Sequence, residues 1–417
     1  MSEILAHYLI ETPHELEKAI SVIAGEQSSG TFVAVPGETP ELTARHRAKI
    51  VTIEPLGFVE TPSLPGAKLS KNEGSPIYRQ ARFTLSFPFE NIGANLPTLF
   101  ATVAGNLFEL SDHSGLKLLD LDLPQEFADA YLGPQFGIEG TRKLSGVFGR
   151  PLIGTIVKPS VGLTPRATAL LVKELCEAGI DFIKDDELMA DSPHSPFAER
   201  VSAVMQVIND HAEKTGKKPM FAFNLTDDLE KMMRHHDTVL EAGGTCVMIS
   251  LNSVGFPAAD FLRRRSQLPI HGHRNGWGML TRHPMLGMGF GAYQKLWRTI
   301  GVDHLHVNGL RNKFWEPDES VLASVSALRT PLHGGRFAMP VLSSGQTVHQ
   351  PQDTFAKTET VDVMYLAGGG VMAHPHGPGA GITALREAWE AATSGVPLEV
   401  YAETHPELKA ALGKYKA

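Results

Sequence analysis

The sequence predicts an α/β protein in which an N-terminal α+β domain of ferredoxin-like type, residues 1–135, precedes a C-terminal (β/α)8 TIM barrel, residues 136–417. Three observations lead there. The chain has 417 residues, and single hydrophobic cores stop growing at about 250 to 300 residues, so two domains are expected. The pattern before about residue 130 is one of short strands with two amphipathic helices. After about residue 145 it becomes apolar strand, short loop and amphipathic helix, repeated nearly to the end.

In the first part ILAHYLIE, RAKIVTIEPL and YRQARFTLSFP read as strands, while PHELEKAISVIAGE and NLPTLFATVAGNLFEL read as helical. Helices covering one face of an antiparallel sheet fit this order. The stretch PSLPGAKLSKNEGSP, residues 62–76, is rich in Pro, Gly and Ser and reads as an exposed loop. In the second part eight strand-like runs follow: 152–157, 181–184, 220–224, 245–250, 268–273, 303–307, 338–343 and 361–368. Helical stretches separate them, several ending in Gly as helix C-termini often do. Eight parallel units close into a barrel, whereas a doubly wound open sheet normally uses fewer strands.

Composition narrows the function class. A net charge of -8 and a pI near 6.1 argue against nucleic acid and anionic membranes as partners, since an acidic surface offers them no counter-charge. The two cysteines, Cys176 and Cys246, stand in apolar contexts that read as buried thiols of a reducing compartment. The first twenty residues carry acidic groups and no continuous apolar run, so neither a signal peptide nor a membrane span is expected and the cytoplasm is the expected location.

Barrel enzymes carry their catalytic groups at the C-terminal strand ends, and here those ends are polar around the ring. They bring Lys158, then Lys184, Asp185, Asp186 and Glu187, Asn224, His271, His273 and Arg274, His304 and His306, Ser343, Ser344 and Gly345, and Gly368 to Gly370. The segment KDDE is the most informative. Adjacent carboxylates repel unless a cation neutralises them, and a hard divalent ion with oxygen ligands, magnesium first, does so well. An internal salt bridge to Lys184 is the plain alternative. Conversion of Lys184 to a carbamate by CO2 would instead add another oxygen ligand, and lysine is the residue whose pKa burial lowers most readily.

The glycine-rich turns SSGQT and AGGG resemble the anion site common in barrels, with Arg274 and Lys313 available to supply positive charge. His271, His273, His304 and His306 form two H-x-H pairs on neighbouring strands. Zinc would suit such pairs, but no cysteine or acidic partner has the usual spacing. General acid/base work by one histidine of each pair, with the other packing or orienting its neighbour, is the better reading. HPHGPG, with His374 and His376, reads as the start of a helix.

Taken together, GTIVKPSVGL, GIDFIKDDE, HGHRNGW, DHLHVNG and AGGGVMAHP resemble ribulose-bisphosphate carboxylase large chains, and more closely the RuBisCO-like proteins. The resemblance implies that Lys184 is a carbamylated ligand of Mg2+ completed by Asp186 and Glu187. It implies that Lys158 moves protons at the enolisable carbons, that Arg274 grips a phosphate, and that His273 contacts substrate hydroxyls with His306 beside it. Ser343, Ser344, Gly345, Gly368 and Gly369 fall where phosphate and substrate oxygens are held, and Lys313 where the mobile-loop lysine stands. AGEQSSGTF is similar to the family's small-domain segment, which brings Glu26, Thr31 and Phe32 toward a partner subunit's site, and Asn106 in AGNLFEL matches the family's active-site asparagine. A homodimer or higher homo-oligomer with shared sites follows from the same resemblance.

The departures bear on the reaction. Ser160 replaces a lysine that carboxylases keep, GLRNKFWE replaces the usual mobile loop, Trp277 stands where carboxylases have histidine, and SSG replaces S-G-G. Carbon fixation is therefore not expected, whereas enolate chemistry is, because the metal-binding residues are complete. The resemblance to one subgroup implies decarboxylation or hydrolytic C–C cleavage of a phosphorylated sugar acid, 3-oxo-isoapionate 4-phosphate, in apiose breakdown. The alternatives are enolase or isomerase action on a methylthio-sugar phosphate in methionine salvage, and a non-catalytic sugar-phosphate sensor.

Overall fold

The computed structural model describes residues 2–30, 35–69 and 77–415. They divide into two compact units, one of residues up to 131 together with 276–299, the other of 132–275 and 300–415.

The first unit is a sheet with helices. Strands β1 (Glu3–Thr12), β2 (Lys49–Val59), β3 (Tyr78–Pro88) and β4 (Gly115–Asp122) are antiparallel where they pair. Alternation decides which side of β1 is buried: Ile4, Ala6, Tyr8 and Ile10 are covered. Tyr8 lies across from Phe83, the rings stack at 5.0 Å, and the tyrosine hydroxyl donates to the Val103 carbonyl at 2.8 Å. One strand was not foreseen: β10 (Leu286–Met288) pairs in parallel with Leu116–Leu118 of β4, giving the order β10-β4-β1-β3-β2. The 276–299 segment, expected within the barrel domain, thus joins the first unit. Three residues of mixed burial, Leu-Gly-Met, are too short to show a strand period.

The second unit is the expected closed parallel barrel. Its strands are β5 (Leu152–Ile156), β6 (Phe182–Lys184), β7 (Met220–Asn224), β8 (Cys246–Ser250), β9 (Ile270–His273), β11 (His304–His306), β12 (Met339–Leu342) and β13 (Met364–Leu366), with β10 the Leu286–Met288 strand above. All eight correspond to runs read from the sequence. Successive residues of a strand face opposite sides. Leu152, Phe182, Met220 with Ala222, Cys246 with Met248, and Met364 with Leu366 share one core. One step of the same period further along β6, β7, β8, β11, β12 and β13 come Lys184, Asn224, Ser250, His306, Ser343 and Gly368. The strand geometry that fills the lower barrel with hydrocarbon therefore turns polar groups into its upper layer. Both cysteines are buried and free.

The lower end is closed by the Gly137–Ser145 helix. Ile138 packs on the barrel core, and Thr141 Oγ1 meets His304 Nε2 at 2.8 Å. Buried Asp303 accepts from the backbone N–H groups of Phe136 (2.6 Å), Gly137 (2.9 Å) and Ile270 (2.8 Å), tying this helix to β9. Asp303→Ala strands these donors without an acceptor, at about 1 to 3 kcal/mol each. Urea unfolding is expected to show a loss of about 3 kcal/mol or more; a loss below about 1 kcal/mol would show that the three bonds do not hold the plug.

Candidate active site

The upper layer of the barrel pairs candidate residues: Lys184 with Glu187, Lys158 with Asp186, and Glu187 with His273. Lys184 is 1% exposed, and its Nζ donates to the Asp185 carbonyl at 2.7 Å and lies 3.5 Å from Glu187 Oε2. Lys158, in the loop after β5, donates to Asp186 Oδ2 at 2.6 Å and to Ser160 Oγ at 2.7 Å. Glu187 Oε2 also lies 3.5 Å from His273 Nε2. Asn224 supports the backbone of this segment: its Nδ2 donates to the carbonyls of Asp186 and Glu187, both at 3.3 Å.

Asp185, the second residue of the run, faces elsewhere. Asp185 Oδ2 accepts from the Asn224 N–H at 3.1 Å and from Arg200 Nη2 at 3.3 Å, and Arg200 is fully buried in the Phe197–Thr215 helix. Burial pushes the Asp185 carboxyl up, and the Arg200 guanidinium opposes that rise. Burial lowers Lys184 against the pull of the surrounding carboxylates. For Glu187 burial works upward, but His273 and Lys184 outweigh it and hold the group at about 2.

The histidines separate by depth. His271 Nε2 and His306 Nε2 are 2.8 Å apart, and His306 Nδ1 meets Ser343 Oγ at 3.0 Å. His273 sits above them, its ring 4.5 Å from that of His306. Burial lowers all three, His273 to about 4 with Lys184 adding to the effect, so their rings are neutral near pH 7. His304, grouped with the polar strand ends in the sequence, is at the opposite end beside Thr141. Its distance from the mouth follows from its place at the start of β11 rather than at its end.

Along the loop after β11, Glu316 is buried and accepts from Arg274 Nη2 at 2.6 Å, Asn308 Nδ2 at 2.5 Å and Ser320 Oγ at 2.8 Å. Ser344 Oγ donates to Asn308 Oδ1 at 2.8 Å, and the Lys313 N–H donates to the Ser344 carbonyl at 3.1 Å. This brings the Lys313 loop against the turn Ser343–Gly345, where Ser344 (φ 71°) and Gly345 (φ 85°) are both left-handed. Lys313 itself is exposed. At the end of the neighbouring strand β13, a Cβ on Gly368 would stand 3.5 Å from Lys158 Cε, whereas one on Gly369 would meet nothing within 4 Å. Glu26 and Asn106 are exposed residues of the first unit; Thr31 and Phe32 lie outside the described residues.

Residues 137–415 match the ribulose bisphosphate carboxylase large chain catalytic domain, and residues 1–127 match its N-terminal domain. The chain belongs to the ribulose-bisphosphate carboxylase large-chain family. Among family members it is 52% identical to a 3-oxo-isoapionate-4-phosphate transcarboxylase/hydrolase of Xanthobacter autotrophicus, over 100% of both chains. It is 48% identical to a 3-oxo-isoapionate-4-phosphate decarboxylase of Rhizobium etli, over 98% of this chain and 97% of that one. A RuBisCO-like protein from Burkholderia fungorum superposes with a TM-score of 0.92 at 48% identity, covering 100% of both chains.

Two buried charged residues beside these groups, Arg200 and Glu316, were not singled out from the sequence. Arg200 occupies the stripe of Phe197, Val201 and Val204 that faces the barrel, so a cation at an apolar helix position was the available signal. Glu316 gave none, because its burial and its pairing with Arg274, 42 positions away, are set by the tertiary fold.

The buried imidazoles carry a pH consequence. His304 protonates near pH 6.5 in an unfolded chain, but burial lowers it to about 3 in the fold. The unfolded state therefore binds more protons between these values, and stability falls as pH drops through them, by at most about 4 to 5 kcal/mol from this residue. Unfolding measured from pH 7 to pH 4 is expected to show a shallower acid decline in His304→Gln than in the parent chain. Identical slopes would contradict the assignment.

Proposed function

We propose that the chain is a divalent-metal-dependent enzyme that breaks a carbon–carbon bond in a phosphorylated 3-oxo sugar acid, by decarboxylation or hydrolytic cleavage of 3-oxo-isoapionate 4-phosphate. The observation that carries this reading is the convergence of Lys158, Lys184, Asp186 and Glu187 in one polar layer. Full-length similarity to relatives bearing those activities supports it.

The residues fit a magnesium ion. Asp186 and Glu187 offer hard oxygen donors, and burial disfavours the ammonium form of Lys184, as carbamate formation requires. These three residues would hold the ion, which when bound would act as a Lewis acid on adjacent substrate oxygens. The chain's own groups do the rest. The ketone β to the carboxylate accepts the electron pair left when the C–C bond breaks, and the resulting enolate takes up a proton. Lys158 is placed to deliver it, since Ser160 and Asp186 fix its ammonium group. Neutral His273 contacts substrate hydroxyls and exchanges protons there, with His306 held beneath it by His271 and Ser343. Ser343, Ser344, Gly345, Gly368 and Gly369 receive phosphate and carboxylate oxygens, the exposed Lys313 covers them, and Arg274 on its Glu316 anchor supplies fixed positive charge. In a homodimer or larger homo-oligomer, Glu26 and Asn106 would complete a partner's site.

The test is release of CO2 from 3-oxo-isoapionate 4-phosphate with magnesium and bicarbonate present, together with identification of the remaining fragments. Turnover is expected, with its loss on chelation and its recovery with magnesium. Lys158→Ala should lower kcat by about 100-fold or more, the usual worth of a positioned proton donor. An intact enzyme that leaves this substrate's C–C bonds unbroken but isomerises a methylthio-sugar phosphate would overturn the reading.

A further inference from the structure

We propose that Asp191, Asp227 and His235 form a second divalent-cation site, of the kind that takes zinc, outside the Lys184 group. The three residues come from different segments: the loop after β6, the loop after β7, and the Leu229–Glu241 helix. One ligand atom from each lies within 4.8 Å of the others.

His235 is buried, and its ring stacks on Phe197 at 4.2 Å, which restricts where it points. Its Nε2 faces Asp191 Oδ2 at 3.5 Å. The other oxygen of Asp191 accepts from the Phe197 N–H at 2.9 Å, so that carboxylate is aimed as well. Asp227 Oδ1 accepts from the Asp228 N–H at 2.7 Å, and Lys231 stands 3.5 Å away on the outer side.

The spacing separates two explanations. A hydrogen bond between imidazole and carboxylate runs about 2.7 to 3.2 Å, shorter than the observed 3.5 Å. Ligands held at about 2.0 to 2.1 Å around a tetrahedral zinc are about 3.3 to 3.4 Å apart. The cluster of His374, His376 and Glu407 differs in its spacing. There His376 Nδ1 meets Glu407 Oε2 at 2.7 Å and His374 Nε2 meets the Glu407 carbonyl at 3.0 Å, so hydrogen bonds already account for it.

An imidazole donor favours zinc over magnesium. The site would join the loop carrying Asp186 and Glu187 to the loop that follows Asn224 without entering the catalytic group. Full-length chain, stripped with chelator and dialysed against micromolar zinc with millimolar magnesium and bicarbonate, is to be assayed for zinc by elemental analysis. The parent is expected to retain about one zinc per chain more than His235→Gln or Asp227→Asn. Cobalt substitution of the parent gives a second reading, independent of variant folding: a tetrahedral absorption band that micromolar zinc displaces and millimolar magnesium does not. Equal zinc in parent and folded variants, or no such band, overturns the proposal.

Discussion

Placing a lysine and three consecutive acidic residues at the end of one buried strand is the constraint around which the upper barrel is arranged. Two unit charges 4 Å apart interact by about 4 kcal/mol at an effective dielectric constant of 20, so a run such as KDDE is tolerable only if each carboxylate has its own cation or donor set. Asp185 has Arg200 and the Asn224 N–H, Asp186 has Lys158, and Glu187 has Lys184 with His273 nearby. These partners come from four other elements of the second unit. Assembly of the barrel and neutralisation of the cluster are therefore one event.

The same strands separate hydrocarbon from charge. Inward residues are apolar on the lower levels of β5, β6, β7 and β8, and the next inward position along β6, β7 and β8 is Lys184, Asn224 or Ser250. The histidines of β9 and β11 bridge this division. His304 bonds the lower plug, His271 and His306 bond each other in the middle, and His273 stands beside Glu187. Burial keeps these rings uncharged, which lets a column of polar groups run through the barrel without placing further positive charge under Lys184.

Much of this was legible in the sequence, for reasons specific to the elements concerned. The barrel strands announced themselves because both their apolar period and their polar endings are local, as in DFIKDDE and MFAFN. The Lys184–Glu187 cluster was legible because its members are adjacent in the chain. His304 was misplaced because an H-x-H pair in a strand looks alike from either end, whereas only one end is the mouth. Arg200 and Glu316 were not found because their burial is a tertiary property, and the Leu286–Met288 strand because three residues carry no period. The charge logic at Asp185 depends on Arg200, fifteen positions away and on a different element.

In the proposed function, buried Lys184, once it has taken up CO2, would make with Asp186 and Glu187 an oxygen cage for a divalent ion. The most direct measurement is carbon-13 NMR of the full chain equilibrated with labelled CO2 and magnesium. A carbamate resonance that sharpens or grows with magnesium and disappears in Lys184→Arg is the predicted result. A parent spectrum without that resonance, or one unchanged by the substitution, would contradict the account.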